Sequence, residues 1–154
     1  MRNRAPLYTA LSCMALSALA FAAEKPNFSG LWKFNPERTD SGVLPKPKVK
    51  ITVKVEHQEP VFNLLLTIWR EDQEVRQEFK ARTDGKIYHD TYGPQTCSLV
   101  WEGEGIRMKL FDGQGNLIGS NLVRLDPTGK TLIREGVGKS SAGEVKIREV
   151  WEKQ

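Results

Sequence analysis

Apolar and polar residues alternate along most of the chain from Lys48 onward. A first apolar row consists of Val49, Ile51, Val53 and Val55, and a second, after Pro60, of Phe62, Leu64, Leu66 and Ile68. Further on, a mixed row of Val75, Gln77, Phe79 and Ala81 alternates with a charged row of Glu74, Arg76, Glu78 and Lys80. A period of two is typical of β-strands with one buried face.

Clusters of Gly, Asp and Pro interrupt these rows at nearly regular intervals, the spacing that hairpins have in an antiparallel meander. No segment after the N-terminal region carries a convincing helical repeat. The pattern predicts ten strands, near 30–35, 48–56, 61–70, 73–82, 86–91, 95–101, 105–111, 115–125, 129–137 and 144–152. The fold class is therefore predicted to be all-β.

The short connections favour one architecture over another. Antiparallel strands can protect their edges by closing into an up-and-down barrel or by splitting into a sandwich, and sandwiches usually need longer crossovers. The one long connection here is the first, 35–46, with Pro36, Pro45 and Pro47 in or beside it. We expect an antiparallel up-and-down β-barrel of about 8–10 strands, with a two-sheet sandwich as the alternative.

The first 22 residues have the features of a secretory signal peptide. Arg2 and Arg4 form a basic region, Ala10–Ala20 is apolar, and the small residues Ala20 and Ala22 suit signal peptidase. A retained membrane anchor is the alternative, but a spanning helix needs about 20 strongly apolar residues. We expect cleavage after Ala22, a single barrel domain over 23–154 with no membrane span, and a secreted or periplasmic location.

Charge and cysteine content narrow the range of partners. Without Arg2 and Arg4, 21 Lys and Arg residues face 19 Asp and Glu, and the lysines between 46 and 54 alternate with apolar residues as the wet face of a strand would. We therefore expect no nucleic-acid partner. Cys97 is the only cysteine of 23–154, and it could be buried or pair with another chain. Burial is favoured because Leu99 and Trp101 lie on the same face of its strand.

Both ends of the predicted barrel resemble known proteins. The segment Phe28–Lys33 (FSGLWK) resembles the first strand of the calycin barrels, the lipocalins and fatty-acid-binding proteins, which begin with Gly-x-Trp. The end, Glu149–Lys153 (EVWEK), resembles the last strand of fatty-acid-binding proteins. The chain as a whole is similar to small exported bacterial proteins with a lipocalin-like fold. The resemblance implies that Gly30 permits a close approach at a closed barrel end, which Trp32 plugs.

Two features depart from the fatty-acid-binding proteins. Their first two strands are joined by a helix pair, which the prolines of 35–47 exclude here. Their last strand carries an Arg and a Tyr that bind the ligand carboxylate. When Trp151 is aligned with that Tyr, the acidic Glu149 occupies the position of the Arg. The carboxylate clamp is therefore not expected in this chain.

Four residues are candidates for ligand binding. Glu149 is predicted to point into the barrel, where it could anchor an amine or hydroxyl of a ligand or form a structural pair with Arg70, Arg124 or Arg134. Aromatic residues could line a pocket for a flat hydrophobic molecule or simply pack in the core, and the candidates are Trp69, Tyr88 and Trp101. An internal cavity would be lined by residues of one parity, such as Phe62, Leu64, Leu66 and Trp151.

No catalytic or metal-binding constellation is evident. The two histidines, His57 and His89, lie on separate segments without spaced cysteines or carboxylates. Cys97 has no adjacent histidine, and 112–116 lacks the repeated acids of a calcium loop, so it is predicted to be a hairpin turn. We expect no cofactor, no metal and no enzymatic activity.

Of three possible functions, an enzyme is permitted by the fold class but supported by no group of residues, and two others carry more weight. The first is an exported lipocalin-like barrel that binds a small hydrophobic ligand, since ten strands leave more interior room than eight. The alternative is a ligand-free interaction or structural module with a filled core. That alternative requires an exposed apolar patch for a protein partner, for which Leu65 and Trp69 are candidates.

Overall fold

Ten antiparallel strands account for nearly all the regular structure in the computed structural model, which describes residues 24–42, 46–71, 73–91, 93–141 and 143–154. The strands are β1 (Gly30–Phe34), β2 (Lys50–Gln58), β3 (Val61–Arg70), β4 (Gln73–Arg82), β5 (Asp84–His89), β6 (Thr96–Glu102), β7 (Gly105–Phe111), β8 (Leu117–Leu125), β9 (Thr131–Ser140) and β10 (Gly143–Lys153). The predicted signal peptide and its cleavage site lie outside the described residues.

The strands form one sheet that curls into a nearly closed barrel. Each strand pairs with its neighbours in sequence, and β1 also pairs with β10, so the order is β4-β3-β2-β1-β10-β9-β8-β7-β6-β5. The remaining gap, the β4–β5 seam, is bridged between Phe79 and Asp90 and by a 2.9 Å hydrogen bond from Thr91 N to Glu78 O. The predicted up-and-down barrel is confirmed, and the sandwich alternative is wrong.

The strand boundaries lie within three residues of the predicted ones because alternation and turn chemistry agree. On β2, Val53 and Val55 are buried while Lys54 and Glu56 are exposed. The hairpin between β7 and β8 shows the turn chemistry: Gly115 adopts a φ of +83°, and Asp112 Oδ1 accepts hydrogen bonds from the backbone N–H groups of Gln114 and Asn116. Residues 112–116 therefore form a hairpin turn, as predicted.

One end of the barrel is filled by aromatic rings. This closed end consists of Phe28, Trp32, His57, Phe62 and Trp101, and the Phe28 ring lies 5.8 Å from the rings of His57 and Phe62 and 6.1 Å from that of Trp101. Trp32 is fully buried, and its Nε1 donates to Phe28 O at 3.0 Å.

Gly30 lies where the backbone crowds the last strand at that end. Its φ is +152°, and a Cβ there would lie 2.9 Å from Lys153 Cε. A residue with a side chain would therefore strain the backbone and displace Lys153. The structure thus agrees with what the resemblance implies for Gly30 and Trp32.

Residues 35–40 of the long first connection run beside β10. Asn35 N donates to Val150 O at 2.8 Å, and Asp40 exchanges two backbone hydrogen bonds with Arg148 at 2.7 and 2.8 Å. Val150 is consequently fully buried, although its neighbours on β10 face the barrel interior. No helix occurs in 35–42 or 46–49, in agreement with the sequence prediction.

Candidate functional site

The barrel interior contains a cavity of about 140 Å³. Its walls come from eight strands, β2 to β4 and β6 to β10, together with Gln95. The lining residues are Val53, Val55, Phe62, Leu64, Leu66, Gln77, Phe79, Gln95, Cys97, Met108, Leu110, Val123, Leu132, Arg134 and Trp151. Several of them are only half-buried, among them Leu66, Leu110 and Gln77, so the cavity is partly enclosed.

The cavity surface is mostly apolar because the inward rows of the strands are apolar. Phe62, Leu64, Leu66 and Trp151 all line it, as the sequence pattern predicts. The exceptions to this apolar lining are Gln77, Gln95 and Arg134, whose side chains form hydrogen bonds. A mainly hydrophobic wall with a few polar groups is the usual surface of a small-molecule site.

Arg134 and Glu149 form the charged part of the interior. They are directly opposite each other on β9 and β10, and Arg134 Nη2 donates to Glu149 Oε1 at 2.8 Å. Trp151 Nε1 donates to the other oxygen, Glu149 Oε2, at 3.3 Å. The side chains are 27% and 20% exposed. Of the three arginines considered as partners of Glu149, Arg134 is therefore the one that pairs with it.

One nitrogen of the Arg134 side chain lacks a hydrogen-bond acceptor among the described residues. This nitrogen is Nε, and it is buried. A buried N–H without an acceptor loses its hydration without compensation. Arg134 thus combines a satisfied charge with an unsatisfied donor, and its side chain lines the cavity.

A second polar group lies beside the β4–β5 seam. Gln77 Nε2 donates to Asp90 Oδ2 at 2.6 Å and to Gln95 Oε1 at 3.3 Å. Asp90 is only 8% exposed. Sequence reasoning did not find this group, because the contact exists only when the two ends of the meander meet. The polar residue Gln77 in the inward row of β4 was the one available signal.

Cys97 lies on the cavity wall and is 1% exposed, so the predicted burial is confirmed. Burial, with a smaller contribution from the negative charge of Asp90, raises the pKa of its thiol to about 12. At neutral pH the sulfur is therefore a protonated, weakly polar wall atom rather than a nucleophile.

The three aromatic candidates do not line the cavity. Trp69 lies on the outer face of β3, where Lys50 Nζ is 4.5 Å from its ring centroid. Tyr88 is opposite Cys97, packs against the core, and donates its hydroxyl to Asp84 at 2.9 Å. The fourth candidate, Glu149, does not itself line the cavity, but it accepts a hydrogen bond from Arg134, which does. The structure thus brings none of the four together in one cluster.

The third aromatic candidate, Trp101, belongs to the closed end, where Glu59 is the shared acceptor. Glu59 accepts from Thr83 Oγ1 at 2.6 Å and from Trp101 Nε1 at 3.0 Å, and His57 Nε2 lies 3.2 Å away. Burial alone would raise the pKa of Glu59. Hydrogen bonds from these three side chains, together with nearby Lys25, outweigh burial and lower the pKa. Trp101 therefore has a structural partner.

The described residues contain neither a metal-binding cluster nor a helix that could span a membrane. No group of three His, Cys, Asp or Glu side chains there could hold a metal ion. His57 Nδ1 instead accepts the backbone N–H of Phe28 at 3.2 Å. Within the same ranges, no helix is long and apolar enough to cross a bilayer.

Comparison with known proteins identifies the fold. No protein-family model matches the sequence, and no curated protein matches it significantly. Among solved structures, the zebrafish ileal bile acid-binding protein complexed with cholic acid superposes with a TM-score of 0.56 at 11% identity, covering 82% of this chain and 98% of that one. The fold is a calycin-type barrel.

A second solved structure gives a similar match. Secretory abundant heat soluble protein 4 from Ramazzottius varieornatus has a TM-score of 0.53 at 15% identity and covers 82% of this calycin-type chain and 94% of its own. One neighbour is described as a binding protein and the other as heat soluble, and neither as an enzyme. At these sequence identities the two matches show the fold of the chain alone.

Proposed function

We propose that this protein is an exported barrel that binds a small hydrophobic molecule inside its cavity. The observation that carries the proposal is the apolar cavity itself, which inward side chains of eight strands partly enclose. An engineered apolar cavity of about 150 Å³ is known to bind benzene, so a volume of this order suits a compact ligand. The calycin neighbour with cholic acid supports the use of such an interior for hydrophobic molecules.

Export is part of the proposal and rests on residues 1–22. Their basic start, apolar stretch and Ala20-Phe21-Ala22 pattern support cleavage after Ala22. The resemblance of the FSGLWK segment to exported bacterial barrels supports the same conclusion. N-terminal sequencing of the protein recovered outside the cytoplasm tests it: a chain beginning at Ala23 is expected, and an intact Met1 would contradict export with cleavage.

The interaction module remains the alternative. The exposed large apolar residues among those described are Leu31, Val75, Ile87, Val100 and Leu117. Leu65 and Trp69 are only half-buried, and Lys50 covers the Trp69 ring. The patch that this alternative requires is therefore not formed by the two residues that suggested it.

Ligand binding is tested with two adjacent substitutions on β3. Leu66 lines the cavity, whereas Leu65 has the opposite parity and lies outside. Toluene is titrated into the protein while the Trp151 indole N–H resonance is followed by NMR. Leu66→Trp places an indole in the cavity and is expected to abolish the saturable shift. Leu65→Trp adds the same group outside and should leave the titration unchanged.

The outcome separates the two functions. Binding by the wild type and by Leu65→Trp, but not by Leu66→Trp, supports an internal ligand. No saturable binding by the wild type would contradict the carrier function and favour the interaction module. Thermal unfolding of both variants checks that they remain folded, since overpacking a core costs typically about 1–3 kcal/mol.

A further inference from the structure

We propose that the cavity recognises compact hydrophobic molecules that carry an uncharged amide group, and that Gln77 and Gln95 bind this group. The inference rests on the proposed function, because it names the class of ligand for the same cavity. It is carried by three observations: the hydrogen bonds that fix the two glutamines, the two amide atoms that these bonds leave unused, and the apolar wall around them.

Asp90 fixes the orientation of the Gln77 amide beside the β4–β5 seam. Gln77 Nε2 donates to Asp90 Oδ2 at 2.6 Å. An ionised carboxylate only accepts hydrogen bonds, so the nitrogen of the amide must face Asp90 and its Oε1 must point away. Asp90 is itself held in the seam, since it forms the bridge with Phe79 and its backbone N–H donates to Gln95 O at 2.9 Å. The Gln77 amide is therefore held in one orientation before a ligand binds.

The two glutamine amides use part of their hydrogen-bonding capacity on each other. Gln77 Nε2 also donates to Gln95 Oε1 at 3.3 Å. A primary amide has two N–H donors and one carbonyl acceptor, so the two bonds of Gln77 Nε2 match its two N–H groups. Gln77 Oε1 and Gln95 Nε2 have no partner among the described residues. One acceptor and one donor therefore remain on neighbouring side chains.

Both unused atoms keep some exposed surface. The buried side-chain oxygen and nitrogen atoms without a partner, within the described part of the chain, are Asn121 Oδ1 and Arg134 Nε. Gln77 Oε1 and Gln95 Nε2 are unpartnered but not buried, and both residues are half-buried parts of the cavity wall. A molecule in the cavity can therefore contact these two atoms, unlike the Nε of Arg134.

A carboxamide complements this pair of atoms. Its N–H groups donate to Gln77 Oε1 while its carbonyl accepts from Gln95 Nε2, and neither bond brings a charge into the interior. A carboxylate is a poorer match because it has no N–H for Gln77 Oε1. The cavity wall beside Gln77 is apolar: Leu66 is opposite it on β3, and Phe79 lies two residues further along β4. These side chains would contact the hydrocarbon part of the ligand.

Three probes with the same aromatic ring test this ligand class. Toluene has neither a donor nor an acceptor, acetophenone has the carbonyl alone, and benzamide has an amino group in place of the methyl group of acetophenone. Dissociation constants are measured by calorimetry and by the shift of the Trp151 indole N–H resonance. We expect benzamide to bind about tenfold more tightly than acetophenone, because acetophenone leaves Gln77 Oε1 without a partner. Acetophenone should bind about fivefold more tightly than toluene.

Two variants assign the two hydrogen bonds. Gln77→Met keeps the length of the side chain and removes its Oε1, so the preference for benzamide over acetophenone should disappear. Gln95→Met removes the Nε2 donor, so benzamide and acetophenone should each bind about fivefold more weakly while toluene affinity changes little. Gln73→Met makes the same change at an exposed position of β4 outside the cavity wall and serves as the matched control. It should leave all three affinities as they are in the wild type.

The possible results distinguish this inference from the proposed function. If toluene and acetophenone bind but benzamide binds no more tightly than acetophenone, the amide class is wrong while the carrier function stands. A benzamide preference that persists in folded Gln77→Met, or that is also lost in Gln73→Met, would overturn the inference too. If none of the three probes binds the wild type, the proposed function itself fails. Should Gln77→Met not fold in a thermal unfolding assay, Gln95→Met and the wild-type order decide.

Discussion

Arg134 on β9 lies directly opposite Glu149 on β10, and its Nη2 donates to Glu149 Oε1 across 2.8 Å inside the barrel. The guanidinium of Arg134 is therefore already bound to a carboxylate that the chain itself supplies. Adjacent cavity walls are apolar. The charged pair therefore lies against a mainly hydrophobic interior, and the proposed ligand binding rests on that interior.

The first prediction concerns the stability of this pair. Arg134→Met leaves Glu149 with Trp151 as its remaining side-chain donor and should lower the free energy of unfolding by about 1–3 kcal/mol, less than for a fully buried pair because both groups retain some exposure. The double variant Arg134→Met/Glu149→Leu should recover much of that loss. Urea unfolding of the two single variants and the double variant measures the coupling, and strictly additive effects would contradict a paired arrangement.

A second prediction compares two inward glycines of β9. A Cβ on Gly136 would collide with the carbonyl oxygen of Ser120 and lie 2.7 Å from Asn121 Cα, whereas one on Gly138 would meet nothing nearer than 3.9 Å. Gly136→Ala should therefore force β8 and β9 apart and destabilise the barrel by about 2 kcal/mol or more. Gly138→Ala should be nearly neutral. Similar melting temperatures for both variants would show that the close approach at Gly136 is not required.

The third prediction follows from the buried thiol of Cys97. Its pKa of about 12 in the folded state is above the usual value of about 8.5, so the folded protein holds the proton more tightly than the unfolded chain. This contribution is fully present below pH 8.5 and is lost as the pH rises towards 12, by about 1.4 kcal/mol per pH unit. Unfolding of the wild type and Cys97→Ala is compared at pH 7 and 10.5.

The stability difference between these two proteins should change in favour of Cys97→Ala at the higher pH. A difference that stays constant between pH 7 and 10.5 would contradict the raised pKa. A thiol reagent provides an independent reading, since it should react with native Cys97 at neutral pH far more slowly than with the unfolded chain.

A fourth prediction concerns Glu59 at the closed end. Its pKa is lowered in the folded state, so its charge stabilises the protein above the unfolded pKa of about 4.3, and this contribution is lost as the pH falls below that value. Glu59→Gln should lower stability at pH 7 by about 0.5–1 kcal/mol, since the partly exposed group is screened by solvent. The difference in unfolding free energy between the wild type and Glu59→Gln should disappear towards pH 3.

Glu104→Gln, at an exposed turn position, is the control for Glu59. It should show no stability gap at either pH. A stability difference between the wild type and Glu59→Gln that persists at pH 3 would contradict a role for the charge. It would mean instead that the amide fails to replace the carboxylate as an acceptor for Thr83 and Trp101.

Most of the fold could be predicted from the sequence because its rules are local. The alternation of inward and outward residues, as on β2 and β4, can be recognised from neighbouring positions alone. Turns such as 112–116 can be recognised from their Asp and Gly residues. The lining residues Phe62, Leu64 and Leu66 followed from parity on one strand. The parity of Trp69 with Asn63 and Thr67 was also a signal, and it indicated the outer face on which Trp69 lies.

The site was less predictable because its contacts join distant strands. The sequence limited the partner of Glu149 to three arginines, and only the β9–β10 register selects Arg134. The contact of Gln77 with Asp90 depends on how the meander closes at the β4–β5 seam. Trp101 lies on an inward row, as its parity suggests, but its depth in the barrel places it at the closed end beside Glu59.

The most direct test of the carrier function is native mass spectrometry of the purified protein before and after extraction with organic solvent. We expect a bound species of low mass that extraction removes, and toluene or acetophenone should then bind to the emptied barrel. A protein that carries no such species and also binds neither probe would contradict a ligand-binding interior.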